Sequence, residues 1–506
     1  MKVLFVMYHP GFVRHFQETL SILRNEGHSV HIAFQNDKFG VEAGTGELHL
    51  DITFSTDAPW RTDEWATLSH SIRSMRDYLM YFDPRYASAH RLRGEAARQL
   101  YDADRAWVER IVRVPGMRRV FNYLLYLAER ALPGDPQVDA YVAKHAPDVV
   151  LLTPLVLFNP VQVDYIKAAR RLGIPSALCV ASWDNLTNKG QMRDLPDRVF
   201  LWNEAQAEEA VALHGMPRDR VVVTGAQSFD HWFDFQPTCS KDEFLRARGF
   251  EPASDLILYL SSSKSIAPNE TELVREWHDA IRAARDPRVA RAALLVRPHP
   301  TNELPWEQLD SLTNLRVWPT KTIDSFAPQG RNDYFDSMYH AAAVVGLNTS
   351  GQVEAGLIGK PVLTLLSPDI PHTVRGTTDT IHFQHLLHFN GGLLHVARSY
   401  DEHLDHLAQA IAGAPGMVAR SRRFTEAFIR PQGVDRPAAP ILASAIRSLS
   451  ALKPQRRILD RIFLQPVARP ILKLLLRPHD ARAHRLRQQL KASRAASKNK
   501  LTGDRA

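Results

Sequence analysis

Cysteine is nearly absent from this 506-residue chain, which holds only Cys179 and Cys239. Two thiols cannot build a disulfide framework or a cysteine-rich metal site, and such usage fits a reducing compartment. No run approaches the roughly 20 apolar residues of a membrane span. The amino terminus, MKVLFVMYHPGF, offers one lysine and a short apolar run before His9 and Pro10. It lacks the longer apolar stretch and small-residue cleavage site of a secretory signal, so a cytoplasmic location is expected. The main body also lacks excess positive charge. Net charge is +8, but residues 453–506 carry 15 Lys/Arg against 3 acids, or +12, leaving 8 − 12 = −4 for the rest. Such a body gives no support to nucleic-acid binding.

What is present is an ordinary globular composition, 44% hydrophobic and 23% charged. Residues 2–7 (KVLFVM) form a short apolar run that ends at a loop with Pro10 and Gly11. Phe16, Leu20 and Leu23 then recur at about one helical turn, Gly27 stops the pattern, and VHIAF (30–34) resumes as a strand. This opening is β-α-β. Residues 60–140 break the rhythm with helical spacing and read as a helical insertion. Strand-like runs return at DVVLLT (148–153), SALCVAS (176–182), RVFLW (198–202) and RVVVTG (220–225). After a segment at 226–254 they restart at LILYL (256–260), AALLVR (292–297), LRVW (315–318), AAVVG (342–346) and PVLTLL (361–366). The expected fold is α/β, with two facing Rossmann-like domains at 1–225 and 226–400, C-terminal helices at 401–450 and a basic tail at 451–506. Ligands of open parallel sheets bind beyond the strand ends, here in the cleft between the halves.

Three strand-end loops of the second half carry candidate chemistry. Ser262, Ser263 and Lys264 follow LILYL, and small hydroxyl residues there let backbone N–H groups and a lysine approach a phosphate. In VRPHPTN (296–302), Pro298 and Pro300 fix the backbone around His299, beside Arg297, so that both could donate to a phosphate. In VVGLNTSGQVEAGLIGKPVLTLL (344–366), Thr349, Ser350 and Gly351 open a short helix, whose free N–H groups and dipole favour an anion. Glu354, one turn later, is placed to accept from a ribose hydroxyl.

His-Pro after a strand, followed about 50 residues later by a Ser/Thr pair opening a helix, resembles the GT-B sialyl- and Kdo-transferases of capsule synthesis. It is similar also to the CDP-glycerol glycerophosphotransferases and, more distantly, to UDP-N-acetylglucosamine 2-epimerase. The resemblance covers residues 255–370 and implies that His299, Thr349 and Ser350 contact the nucleotide and phosphates of a donor. Where the epimerase has Ser-Gly-Gly with paired glutamates, this chain has Ser350-Gly351-Gln352-Val353-Glu354-Ala355, a departure that counts against that activity. The likeness further implies that HPGFVRHF (9–16) supplies acceptor contacts from Arg14 and a base at His15. A loop of the form SWDNLT, found in surface-carbohydrate proteins, occurs here at 182–187. Trp183 and Asn185 would hold the acceptor and Asp184 would take the acceptor proton. TGAQSFD (224–230) would lie beside the hinge.

The expected activity is therefore transfer of a sugar from a nucleotide-activated donor to a glycan or lipid-linked acceptor of the bacterial cell envelope, without a cofactor or metal. A CDP-alditol (glycerol or ribitol) phosphotransferase, a UDP-GlcNAc 2-epimerase-like enzyme and a membrane-docked nucleotide-binding scaffold are the alternatives. His382, His385 and His388, with His372 upstream, fall on one helical face, but no carboxylate or cysteine accompanies them in sequence, so no metal site is assigned. In the tail, RRILDRIFLQPVARPILKLLLR (456–477) mixes Ile, Leu and Phe with arginines, and Pro466 and Pro470 are expected to divide it. It suits either an anionic membrane surface, on the inner face of the cell membrane, or a strap on the body followed by a disordered end from about residue 480.

Overall fold

A computed structural model describes residues 1–36, 52–158, 161–264, 266–300, 302, 304–319, 328–370, 373, 380–454 and 460–475. His372 and the tail beyond 475 lie outside them. Two sheets, parallel throughout, hold the described strands. The first contains β1 (Lys2–Met7), β2 (Ser29–Phe34), β3 (Thr53–Ser55), β4 (Val149–Thr153), β5 (Ser176–Cys179), β6 (Arg198–Leu201) and β7 (Val221–Val223), in the order β3-β2-β1-β4-β5-β6-β7. The second contains β8 (Leu256–Leu260), β9 (Ala293–Arg297), β10 (Leu315–Val317), β11 (Ala343–Gly346), β12 (Val362–Leu365) and β13 (His395–Ala397), in the order β10-β9-β8-β11-β12-β13. Central strands such as β4, β8 and β9 are buried at every residue, as expected for sheets covered by helices on both faces. The chain thus has the two Rossmann-like α/β domains that its apolar runs foretold.

Strand order reverses between β1 and β4 in the first sheet and between β8 and β11 in the second. Neighbouring connections leave in opposite directions at such a point and open a crevice at the carboxyl edge. The loops after β1, β8 and β11 each carry a polar motif, and further motifs follow β5 and β9.

Between β3 and β4 stand helices at Ala66–Met80, His90–Ala97, Asp102–Ile111, Met117–Ala131 and Pro136–His145. Their arginines are partly internal. Arg73 donates to both oxygens of Glu129 at 3.0 Å and to Asp164 at 2.9 and 3.0 Å, and Arg61 adds a bond to Asp164 at 3.3 Å. A buried carboxylate is tolerable only when paired in this way.

The helix Ala438–Ser450 crosses back to the first sheet. Its Leu442, Ala443, Ile446 and Leu449 pack with Val3, Phe5, Leu20 and Leu23. Asp230 anchors its start, accepting from Ala438 N–H at 3.0 Å, Ala439 N–H at 2.6 Å and Arg430 at 3.0 Å. Gly225 (φ +91°) permits this approach, because a Cβ there would lie 2.8 Å from that of Ala438. The 224–230 segment is therefore committed to the domain junction.

The tail departs from expectation. Residues 465–475 are continuously α-helical through Pro466 and Pro470, preceded by a π-type turn at Asp460–Leu464. Pro466 falls in the first turn, where its missing N–H has no intrahelical use. The helix packs as a strap: Asp460 pairs with Arg130, Arg469 Nε donates to Ala131 O at 3.0 Å, and Leu472 is buried among Leu125, Ala131 and Leu132.

Candidate functional site

The carboxyl edge of the second sheet is bound together by its own loops. After β8, Ser261 Oγ accepts the backbone N–H of His299 at 2.5 Å, and Ser262 Oγ accepts that of Asn348 at 3.3 Å. The three loops singled out in the sequence therefore converge around one point. Ser262 is fully buried. Its N–H donates to Glu270 at 2.8 and 3.0 Å, while Tyr259 Oη donates to the same carboxyl at 3.0 Å and Asn302 Nδ2 donates to Ser262 O at 3.0 Å. Burial pushes the Glu270 carboxyl up to about 8 despite these donors. Ser262 thus serves as a brace within the loop. Ser263 and Lys264 remain at the surface, with Lys264 exposed.

His299 is half-buried, and burial lowers its pKa, so the neutral imidazole is favoured. Arg297 is tied to a neighbouring helix. It is buried, donates to Asp333 at 2.6 Å and Ser337 at 2.7 Å, and lies 5.2 Å from the Tyr334 ring centre. Both bonds run to the helix Pro328–Tyr339, whose Asp333 also pairs with Arg248.

The helix Ser350–Leu357 follows β11, with Thr349 at its N-cap. Thr349 N–H donates to Gln352 Oε1 at 3.3 Å, and Gln352 Nε2 donates to Gly346 O at 2.8 Å, which fixes the strand-to-helix turn. Ser350 is exposed and Gly351 buried. A Cβ on Gly351 would lie 2.6 Å from both Leu260 Cδ1 and Tyr334 Oη, so only glycine lets this helix sit so close to β8. Tyr334 Oη donates to Glu354 Oε2 at 2.7 Å. Burial raises the Glu354 pKa, and Arg14 opposes the rise.

That coupling crosses the crevice. Arg14 and His15 lie in a 3-10 turn, Pro10–His15, ahead of the first helix, which begins at Gln17. Crowding lowers the pKa of Arg14 while Glu354 raises it. Burial, helped by Arg14, His9 and His231, holds the His15 imidazole down to about 3. Gln227 Nε2 ties the turn down through His15 O at 3.3 Å.

The 182–188 loop reaches across as well, in a different role from the expected one. Trp183 is buried in the seam: its Nε1 donates to Ser350 Oγ at 3.3 Å, and its ring meets His382 edge-on at 4.7 Å. No face of it is open for a sugar. Asp184 accepts from Ser182 Oγ at 2.6 Å on one oxygen and from Asn188 Nδ2 on the other, so both oxygens are used inside the loop. Asn185 is buried and donates to Pro154 O at 3.2 Å. These three residues help brace the domain junction. The seam continues in Thr187 to His382 Nδ1 at 3.3 Å and in the His385–Glu209 pair. A carboxylate therefore accompanies the histidine face after all, though no group of three or more potential metal ligands occurs among the described residues.

Sequence reasoning missed Glu270, Tyr334 and Glu18. Glu270 and Tyr334 read as an ordinary helix-start acid and a core aromatic. Glu18, at the start of the first helix, is raised to about 7 by burial and by Asp230 and Asp234.

No family model matches this chain, and no curated protein matches it. Solved structures do. A protein described as a UDP-N-acetylglucosamine 2-epimerase from Listeria monocytogenes aligns with a TM-score of 0.50 at 14% identity, over 90% of this chain and 98% of its own. The UDP-GlcNAc 2-epimerase from Neisseria meningitidis bound to UDP-GlcNAc gives 0.46 at 15% identity, over 88% and 100%. WaaG, a glycosyltransferase involved in lipopolysaccharide biosynthesis, gives 0.44 at 13% identity, over 89% and 100%. At such identities the likeness concerns the fold alone: two facing Rossmann-like domains of the GT-B type.

Proposed function

We propose that the chain is a nucleotide-sugar-dependent glycosyltransferase that elongates a bacterial surface glycan or glycolipid. The observation that carries the reading is the convergence of the 261–264, 298–302 and 347–351 loops at the switch point of the second sheet. In this reading His299, Ser263, Lys264 and the helix start at Thr349–Gly351 hold a donor phosphate. Glu354, beside Tyr334, is within reach of a ribose lodged against that helix.

The acceptor enters from the first domain. An acceptor hydroxyl oxygen attacks the anomeric carbon as the bond from that carbon to the phosphate oxygen breaks. The bonding pair leaves with the nucleotide, and the hydroxyl proton passes to His15. His15 is neutral at physiological pH, and the negative charge of a bound donor raises its proton affinity. Lys264 and the helix dipole stabilise the departing phosphate. Arg14 positions the acceptor side of the crevice.

Incubation with UDP-, CDP- and CMP-sugars and a lipid-linked glycan, followed by mass spectrometry and NMR, tests the reading. Transfer releases free nucleotide and extends the acceptor. Release from CDP-glycerol alone would indicate an alditol phosphotransferase, and an altered sugar still attached to its nucleotide would indicate an epimerase. Nucleotide binding without transfer, hydrolysis or epimerisation would favour a nucleotide-binding scaffold.

A further inference from the structure

Among the described residues, two neighbouring helices leave apolar faces uncovered. On the strap, Leu464, Ala468 and Leu472 recur every four residues and pack inward. Phe463, Val467, Ile471 and Leu474 recur beside them and stay 57 to 78% exposed. On Met117–Ala131, Leu125 packs inward while Met117, Val120, Tyr123 and Leu124 are 39 to 59% exposed. The strap bonds to Ala131 and to Arg130 of this same helix. Residues scattered singly would need no explanation, but two apolar faces on adjoining helices do.

Charge identifies the occupant. Residues 105–124 contain five arginines and one acid, a net 5 − 1 = +4. Of these, Arg110, Arg113 and Arg119 are exposed, as is Lys473 on the strap. Asp460, the one acid of the strap, is neutralised by Arg130. The 31 residues that follow Leu475 add nine Lys/Arg and two Asp, or +7. Apolar side chains interleaved with arginines match the boundary between acyl chains and anionic headgroups, whereas a protein partner would have to supply matching acids.

We infer that the strap and the Met117–Ala131 helix together form one face that docks on an anionic membrane surface. The strap's basic flanks were legible in the sequence; the second element was not. The inference is independent of the reaction. Docking would bring the first domain, and with it the acceptor side of the crevice, to the bilayer.

Sedimentation of the full-length protein with vesicles of phosphatidylcholine containing phosphatidylglycerol, against phosphatidylcholine alone, tests this. Binding is expected to anionic vesicles only and to weaken with added salt. The triple variants Val467→Ser/Ile471→Ser/Leu474→Ser and Val120→Ser/Tyr123→Ser/Leu124→Ser should each lower partitioning by about tenfold or more. All six positions are exposed, so circular dichroism should be unchanged. A loss confined to the strap variant would overturn the two-element face. So would full binding by both variants, or a dimer in vesicle-free solution that both variants dissociate.

Discussion

Replacing Gly351 by alanine tests how tightly the helix Ser350–Leu357 is seated. The added Cβ would lie 2.6 Å from Leu260 Cδ1 and from Tyr334 Oη. Relaxed contacts of this kind lie near 3.5–4.0 Å, so about 1 Å of movement is required. Leu260 can turn its methyl aside. Tyr334 is held by Glu354 at 2.7 Å, so it cannot yield without losing that bond. The helix start must lift instead, which strains the bond from Asn348 N–H to Ser262 Oγ. Overpacking of this size costs about 1–3 kcal/mol. A shift of about 1 Å at a reacting site can cost roughly a hundredfold in rate. Gly351→Ala should therefore melt several degrees lower by circular dichroism and lose about two orders of magnitude in donor turnover. Wild-type melting together with wild-type turnover would refute both the packing and the role of the helix start.

Further outcomes follow from the same geometry. Because both Asp184 oxygens serve its own loop, Asp184→Asn should lower kcat by less than about tenfold and leave the pH profile in place. His15→Gln should cost about 10²–10⁴-fold, the usual contribution of a general base; initial rates across pH separate the two. His403 Nε2 accepts the Trp277 indole N–H at 2.9 Å, and burial holds this histidine down to about 3. The unfolded chain therefore binds more protons, so stability is full above pH ~6.5 and falls as pH drops toward 3, by about 2 kcal/mol from this residue at pH 5. Urea titrations at pH 7 and 5 should show a smaller difference in His403→Gln; an equal or larger one would contradict the assignment. Asp230→Ala should leave Arg430 buried without its partner and cost about 3–5 kcal/mol, read as a lower urea midpoint.

Much of the fold was legible because doubly covered parallel strands read as continuous apolar runs, as in LILYL and VVLLT. The missed strands, Thr53–Ser55 and His395–Ala397, are three-residue edge pieces with polar or exposed members. Strand order was not legible, since it depends on which connections cross which face. The motif loops were found because serine, proline and glycine at strand ends mark special backbone. Their partners were hidden by distance along the chain. Arg297 looked available until Asp333 and Ser337, on a helix 36 and 40 residues later, were seen to hold it. The part Trp183 and Asp184 play in the seam was hidden because a seam between domains uses the same aromatic and polar residues that a sugar would.

The central claim is that His299 and the helix start at Thr349 grip the same phosphate. Calorimetry of UDP, CDP and CMP binding to the wild-type protein and to His299→Ala addresses it most directly. Alanine keeps the backbone N–H that bonds Ser261 Oγ and removes the imidazole. One nucleotide should bind, and the variant should weaken it by about 10- to 150-fold, the value of a hydrogen bond to a charged group, with no change in Tm. An unchanged Kd in the variant, or no nucleotide bound by the wild-type protein, would contradict the account.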